Sequence, residues 1–273
     1  MSILQLPHAK PGTILFDWHA TLVDTLDAMY HAVDDVLPKL VELGLIDRLV
    51  PADESRTIED SKLVKYVRNH SRLHPKIKSE RKISRTDIFE VLFGRDHEAK
   101  RMAHLEFDKC YRHHLREAVP MESGIPEMLD GLRRLQIRLG VISNRKREFM
   151  EQEVANVSGG NWSPLFDTMA CGDDVPHRKP APDLLLKAME NLGVPADTSC
   201  WYVGDSTTDV VAAKEAKITA IFYNGAGWDQ HWLDKIFPGT VRHPHKPDAV
   251  VGNFSELTSL VNRFMDYAPS KFG

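Results

Sequence analysis

Residues 13–17, Thr-Ile-Leu-Phe-Asp, form a short apolar run that ends in a carboxylate. A run of this length and composition is typical of a buried β-strand. Helical stretches such as 125–136 and 182–193 follow it, the second with a proline near its start and a glycine at its end. Further strand-like runs alternate with these helices, at 138–143, 167–171, 200–205 and 219–223. This alternation predicts an α/β fold with a doubly wound parallel sheet, in which ligands bind at the carboxyl ends of the strands.

One long stretch interrupts the alternation. Between about Val23 and Pro120, apolar residues recur three and four apart, and no convincing strand is visible. We therefore predict an α/β core formed by 1–22 and 120–273, with an all-helical cap domain inserted at 23–119. Lys and Arg are frequent within 61–85, as expected either for a solvated helix face or for a patch that attracts an anionic substrate.

The composition excludes several classes of protein. The net charge of −4 gives no support to a nucleic-acid partner. No apolar run approaches the ~18 residues of a membrane-spanning helix, so we expect no membrane partner. The three cysteines form no C-x-x-C pair, which fits a reducing compartment. Since the first residues do not resemble a signal peptide, we expect a cytoplasmic protein; no feature indicates the oligomeric state.

Polar residues stand at the ends of two of the predicted strands. Asp17 follows the first strand, where a carboxylate could act as a nucleophile and form a covalent acyl-phosphate. Capping of the next helix is the alternative for this residue. Ser143 ends the strand at 138–143, where its hydroxyl could contact a phosphate oxygen, cap a helix, or do both.

Two further motifs carry charged groups. Lys179 lies between Arg178 and a proline, in Lys-Pro-Ala-Pro-Asp at 179–183, and its ammonium could neutralise a transferring phosphoryl group. Asp205 and Asp209 lie four residues apart in Gly-Asp-Ser-Thr-Thr-Asp at 204–209, so both carboxylates could face one point. Oxygen ligands of this kind suit Mg2+.

These four motifs together resemble those of one superfamily. Asp-Trp-His-Ala-Thr, Ser-Asn, Lys-Pro-Ala-Pro-Asp and Gly-Asp-Ser-Thr-Thr-Asp match, in order, the patterns D-x-D-G-T, S/T-N, K-P-x-P-D and G-D-S-x-x-D of the haloacid dehalogenase superfamily. The inserted helical block falls where the helical-cap branch, which includes phosphoglycolate phosphatases and phosphonatases, places its cap. The resemblance implies a Mg2+-dependent phosphatase that acts on a small phosphorylated metabolite through an aspartyl-phosphate intermediate.

The resemblance also implies roles for residues around the phosphoryl group. Asp17 would be the nucleophile, and Lys179 would assist catalysis and bind the phosphoryl group. Ser143 and Asn144 would lie at the phosphate, and Thr21 would support the loop that carries the nucleophile.

The same resemblance implies a set of ligands for Mg2+. Asp17 and Asp205 would bind the ion, together with the main-chain carbonyl of His19. Asp209 is a further candidate ligand.

His19 is the main departure from the family pattern. Phosphatases of this superfamily usually carry there a second Asp that protonates the leaving oxygen, and Ala20 likewise replaces the usual Gly.

The presence of His19 at this position has three possible interpretations. His19 could serve as the general acid and base, since the unperturbed imidazole pKa is near operating pH. The chain could instead cleave a carbon–phosphorus bond, as phosphonoacetaldehyde hydrolases do with a D-W-A-G-T motif and a cap lysine, for which Lys62 and Lys65 are available. Finally, it could be a slow enzyme or a phosphate-binding protein.

Overall fold

The computed structural model describes residues 7, 9–51, 53–80 and 85–266. They fall into two compact units. The core unit comprises the described residues of Met1–Asp24 and Val119–Gly273, and the helical unit is Thr25–Ala118. Arg81 and Lys82 of the basic stretch lie outside the described residues.

The core unit contains a six-stranded sheet in which every neighbouring pair of strands is parallel. Its strands are β1 (Thr13–Asp17), β4 (Arg138–Ser143), β5 (Thr168–Cys171), β6 (Cys200–Gly204), β7 (Thr219–Tyr223) and β8 (Ala249–Val251). The spatial order is β5-β4-β1-β6-β7-β8, so β1 lies inside the sheet, between β4 and β6. Two-residue strands β2 (Val23–Asp24) and β3 (Val119–Pro120) form a separate antiparallel pair.

Helices cover both faces of the sheet, as the continuous burial of β1 requires. The helices of the core unit are α6 (Ile125–Arg134), α7 (Arg147–Val154), α8 (Asp183–Leu192), α9 (Thr207–Glu215), α10 (Gln230–Ile236) and α11 (Phe254–Asp266). Alternate side chains of β1 point to opposite faces. Ile14 and Phe16 belong to a cluster that includes residues of α6 and α11, whereas Leu15 packs in a second cluster with residues of α8 and α9.

The helical unit contains α1 (Leu26–Val36), α2 (Ile58–His70), α3 (Pro75–Glu80), α4 (Arg85–Phe93) and α5 (His97–Tyr111). Side chains cap two of these helices: Thr57 accepts a hydrogen bond from the main chain of Asp60, and Asp96 accepts one from that of Ala99. Within the described ranges, no helix combines the length and the apolar character needed to cross a membrane.

The predicted α/β fold with a helical insertion is confirmed. The prediction of no strand between Val23 and Pro120 is wrong in one detail, because the pair formed by Val23–Asp24 and Val119–Pro120 lies at the two ends of this stretch. Strands of two residues are too short to show an alternating pattern, so the sequence carries no signal for them.

Candidate active site at the carboxyl edge of the sheet

The parallel arrangement brings three of the predicted carboxylates together. Asp17 ends β1, Asp205 follows the neighbouring strand β6, and Asp209 lies in the first turn of α9. One carboxylate oxygen from each lies within 4.8 Å of those of the other two. Asp17 and Asp209 are buried, and Asp205 is partly exposed. The cluster thus offers hard oxygen ligands for a cation, and solvent reaches it at Asp205.

Asp209 is fixed by the start of its own helix. Ser206 caps α9 by accepting a hydrogen bond from the Asp209 main chain, and the Asp209 carboxylate accepts one from the main chain of Ser206 in return. A Cβ atom on Gly204 would lie 2.5 Å from the Cβ and Cγ atoms of Asp209. Glycine at this strand end therefore permits the close approach of α9 that places Asp209 in the cluster.

Lys179 contacts two members of the cluster. Its Nζ atom is 2.5 Å from Asp17 Oδ1, 2.7 Å from Asp209 Oδ1 and 2.8 Å from the hydroxyl oxygen of Tyr202. Burial lowers the pKa of the Lys179 ammonium, but the charges of Asp17 and Asp209 outweigh burial and raise it. The lysine is thus held charged between two of the acids. The sequence does not predict a site role for Tyr202, because a tyrosine within an apolar strand is expected to pack in the hydrophobic core.

Asn144 holds the main chain of Lys179. Its Oδ1 accepts from the Lys179 main-chain nitrogen at 2.8 Å, and its Nδ2 donates to the Lys179 carbonyl at 3.0 Å. The predicted contact of Asn144 with phosphate stays a prediction. These two hydrogen bonds connect the end of β4 to the loop that carries Lys179.

The pKa values of two of the acids are raised, so their charged forms are disfavoured. The pKa of Asp17 is raised to about 7, mainly by burial and further by Asp209, although Lys179 opposes the shift. The pKa of Asp205 is raised to about 8 by burial and by the charges of Asp17 and Asp209. One ammonium group is therefore too little charge for three carboxylates, and a divalent cation would supply what is missing.

Thr21 contacts Asp17, and Ser143 contacts His19. Thr21 is buried, and its Oγ1 donates to Asp17 Oδ2 at 3.4 Å. The Ser143 hydroxyl is 3.2 Å from His19 Nδ1 and accepts from the main chain of Arg145 at 3.1 Å. Ser143 is the last residue of β4, and Thr21 lies in the turn between β1 and β2.

The side chain of His19 is held by a residue that sequence reasoning missed. Its Nε2 lies 2.8 Å from Oε2 of Glu153 on α7, and the same oxygen accepts from Trp18 Nε1 at 2.8 Å. Glu153 is fully buried. Burial lowers the pKa of His19, and the charge and hydrogen bond of Glu153 oppose that shift. The sequence gives only an indirect signal for such a residue. The rings of Trp18 and His19 follow a buried strand, and their N–H groups need a hydrogen-bond acceptor if they are buried.

Comparisons with known proteins show what the chain is similar to. Residues 14–223 match the family model described as haloacid dehalogenase-like hydrolase. The probable phosphatase IndB of Dickeya dadantii is 31% identical over 159 residues, which are 56% of this chain and 64% of that protein. A phosphoglycolate phosphatase of Pseudomonas syringae pv. tomato is 28% identical over 213 residues, 77% of this chain and 68% of that protein. The chain thus spans about two thirds of the length of these relatives.

A solved structure supports the fold. CbbY from Rhodobacter sphaeroides, determined in complex with phosphate, superposes with a TM-score of 0.55 at 19% identity, covering 90% of this chain and 96% of that one. At this identity the likeness concerns the fold alone. The match of the family model over most of the sequence goes further, and it shows that the chain belongs to the family of haloacid dehalogenase-like hydrolases.

Proposed function

We propose that the protein is a Mg2+-dependent phosphatase that hydrolyses a small phosphate monoester through an aspartyl-phosphate on Asp17. The observation that carries the proposal is the convergence of Asp17, Asp205 and Asp209 within 4.8 Å of one another, with the Nζ atom of Lys179 hydrogen-bonded to Asp17 and Asp209. A phosphoglycolate-like acid or a sugar phosphate is the substrate class, in keeping with the phosphoglycolate phosphatase among the relatives.

The first chemical step uses Asp17. One carboxylate oxygen attacks phosphorus, a new O–P bond forms, and the bond from phosphorus to the alcohol oxygen breaks with its electron pair on the leaving oxygen. In the second step water attacks the same phosphorus, which releases inorganic phosphate and restores the Asp17 carboxylate. Lys179 and the hydroxyl of Ser143 neutralise and orient the phosphoryl oxygens in both steps.

The donor set fits Mg2+. We assign Asp17 and Asp205 as its ligands, with the main-chain carbonyl of His19. Asp209 is the less available acid, since its Oδ1 accepts from Lys179 and Tyr202 and its Oδ2 accepts from Ser206. When bound, the cation would supply positive charge that offsets the negative charge of the transferring group and of the carboxylates. The raised pKa values of Asp17 and Asp205 favour this assignment, because a cation would offset the burial and the mutual repulsion that raise them.

We assign proton transfer to Nδ1 of His19. Its Nε2 is committed to Glu153, whereas Nδ1 faces Ser143 at the phosphate end of β4. The protonated imidazole gives its proton to the leaving oxygen, and the neutral ring then accepts a proton from the attacking water. Glu153 holds the ring in one orientation, and its charge opposes the lowering of the His19 pKa that burial causes.

Cleavage of a carbon–phosphorus bond is the second candidate function. The observation that favours it is that both ring nitrogens of His19 already have protein partners. That chemistry needs a lysine whose amine forms a Schiff base, and desolvation is the usual activation. Lys62 and Lys65 are both exposed, and Lys62 forms an ion pair with Glu59. The phosphatase is therefore the better supported proposal.

A substrate panel tests the proposal. The full chain is assayed with an aryl phosphate, 2-phosphoglycolate, sugar phosphates and phosphonoacetaldehyde, each with Mg2+ and with EDTA. We expect release of phosphate from monoesters only with Mg2+, and its loss in Asp17→Asn. Asp130→Asn on the exposed side of α6, where Asp130 pairs with Arg134, is the matched control and should keep full activity. Turnover of phosphonoacetaldehyde alone, or binding of phosphate esters without turnover, would refute the phosphatase.

A further inference from the structure

A second group of metal-binding side chains lies in the helical unit. It combines His31 on α1 with His114 and Glu117, which follow α5, Glu117 being part of a 3-10 turn at Leu115–Glu117. One ligand atom from each of the three lies within 4.8 Å of the others. Unlike the acidic cluster of the core unit, this group contains two imidazoles.

Glu117 faces both imidazole rings. Its Oε2 is 2.6 Å from His31 Nδ1, and its Oε1 is 2.7 Å from His114 Nδ1. The ring centroids are 5.6 Å apart, with the planes tilted by 51°. Two imidazole nitrogens and a carboxylate therefore converge on one region, which is the donor set found for Zn2+ in sites with two His and one Glu.

Asp35 supplies the support that histidine ligands of metals usually have. The second ring nitrogen of His114, Nε2, lies 2.8 Å from Asp35 Oδ2. A histidine that binds a metal almost always donates its other N–H to a carboxylate or carbonyl, which fixes the tautomer and the ring orientation. Asp35 would thus leave Nδ1 of His114 as the lone-pair donor that faces Glu117.

Exposure and distances both permit an ion to enter. The side chains of His31, Glu117 and His114 are 50%, 36% and 17% exposed, so solvent reaches the cluster. Two ligands at ~2.0–2.1 Å from a tetrahedral Zn2+ lie roughly 3.4 Å apart. The observed separations of 2.6 and 2.7 Å then need to widen by less than about 1 Å, which is within reach of exposed side chains.

We propose that His31, His114 and Glu117 bind a divalent transition-metal ion, with Zn2+ as the preferred ion, while Asp35 orients His114 and water completes the coordination. Imidazole nitrogens favour Zn2+, Ni2+ and Cu2+ over Mg2+, so this site and the acids of the core unit select different ions. The ion would join the first helix of the helical unit to the last turn before that unit ends. Without an ion, the same side chains form ion pairs.

Equilibrium dialysis of the full chain measures this site directly. The protein is first freed of metal with a chelator and is then dialysed against Zn2+ with Mg2+ in large excess, so that the core acids are occupied by Mg2+. We expect one Zn2+ per chain. Co2+ in place of Zn2+ should give the visible absorption of a four-coordinate site with nitrogen ligands.

Four variants give the proposal its specificity. His31→Ala and Glu117→Gln should each lose the bound Zn2+. Asp35→Asn should weaken binding about 10- to 100-fold without abolishing it. His97→Ala removes an exposed histidine at the start of α5 and should bind Zn2+ like the wild type. Melting temperatures in EDTA establish that each variant is folded, and His31→Gln replaces His31→Ala if the latter is not.

Two results would overturn the site. One is wild-type protein that takes up less than a tenth of a Zn2+ per chain under these conditions. The other is uptake that persists unchanged in both His31→Ala and Glu117→Gln, which would place the ion elsewhere. Neither result bears on the proposed phosphatase, because activity with Mg2+ is assayed separately.

Discussion

The Oε2 atom of Glu153 lies 2.8 Å from the Nε2 atom of His19, and the carboxylate that carries it is fully buried. The same oxygen accepts the indole N–H of Trp18. Two consecutive residues after Asp17 are thus hydrogen-bonded to one acid on α7. In this chain the imidazole that stands at the position of the usual second aspartate has a fixed orientation and a negative partner, and both favour its proposed role in proton transfer.

Replacement of Glu153 tests whether this orientation matters for turnover. We expect Glu153→Gln to lower kcat by about 10- to 100-fold with little change in KM, because a misoriented proton donor affects the transition state more than binding. Glu151→Gln on the exposed side of the same helix is the matched control and should leave kcat unchanged.

A double variant separates positioning from a general loss of structure. If Glu153 acts through His19, Glu153→Gln should have almost no further effect on kcat in a His19→Ala background. Equal fold losses in both backgrounds would show that Glu153 does not act through His19.

The connection between Asn144 and Lys179 gives a second prediction. Asn144→Ala removes both hydrogen bonds to the lysine main chain, so the ammonium should lose its fixed position between Asp17 and Asp209. We expect kcat to fall roughly 10- to 100-fold. Asn156→Ala, which deletes an exposed amide bonded to the Gln152 carbonyl, should have no such effect. Unchanged kcat in Asn144→Ala would contradict the positioning role.

Ala20 provides a prediction about stability. Its φ of 61° lies in the left-handed region, which costs a residue with a Cβ atom roughly 1–2 kcal/mol. Ala20→Gly should therefore raise the free energy of unfolding by up to about 1 kcal/mol, after the greater freedom of glycine in the unfolded chain is subtracted. The control is Ala196→Gly, at a loop position outside the left-handed region. There no strain is relieved and the unfolded chain still gains freedom, so the free energy of unfolding should fall. Urea denaturation compares the two, and a destabilised Ala20→Gly would disprove the strain.

Asp205 yields a prediction about pH. In the metal-free protein its pKa is raised to about 8, so the folded state holds the proton more tightly than the unfolded chain. The protonated Asp205 therefore contributes to the free energy of unfolding at low pH, and this contribution is lost as pH rises toward about 8. Asn does not titrate, so in EDTA the melting temperature of Asp205→Asn minus that of wild type should increase from about pH 5 to about pH 8.5.

Asp197→Asn is the control of opposite sign, because hydrogen bonds from Ser199 lower the pKa of Asp197. A carboxylate with a lowered pKa stabilises the folded state above its unfolded pKa, so its removal should lower the melting temperature at neutral pH. Added Mg2+ should raise the melting temperature of wild type more than that of Asp205→Asn, since only an intact site gains binding energy. A difference for Asp205→Asn that does not change with pH would contradict the electrostatic account.

The sequence predicts the sheet and the acidic cluster because both follow from local patterns. Asp17 and Asp205 come directly after apolar runs, and parallel strands bring their carboxyl ends to one edge. Glu153 could not be predicted in the same way. It lies 134 residues from His19 along the chain, in a helix with many charged residues, and its burial depends on how α7 packs against the sheet. The hydroxyl of Tyr202 beside Lys179 likewise follows from packing alone.

The central claim is that Asp17 becomes covalently phosphorylated during turnover. Its most direct test is an acid-quenched single turnover with Mg2+ and the best substrate of the panel, followed by mass spectrometry of the peptide that contains Asp17. We expect a phosphoryl group on Asp17 that appears and decays at rates compatible with kcat. Full turnover with no phosphoryl group at that residue at any time point, or full activity in Asp17→Asn, would rule out the covalent intermediate.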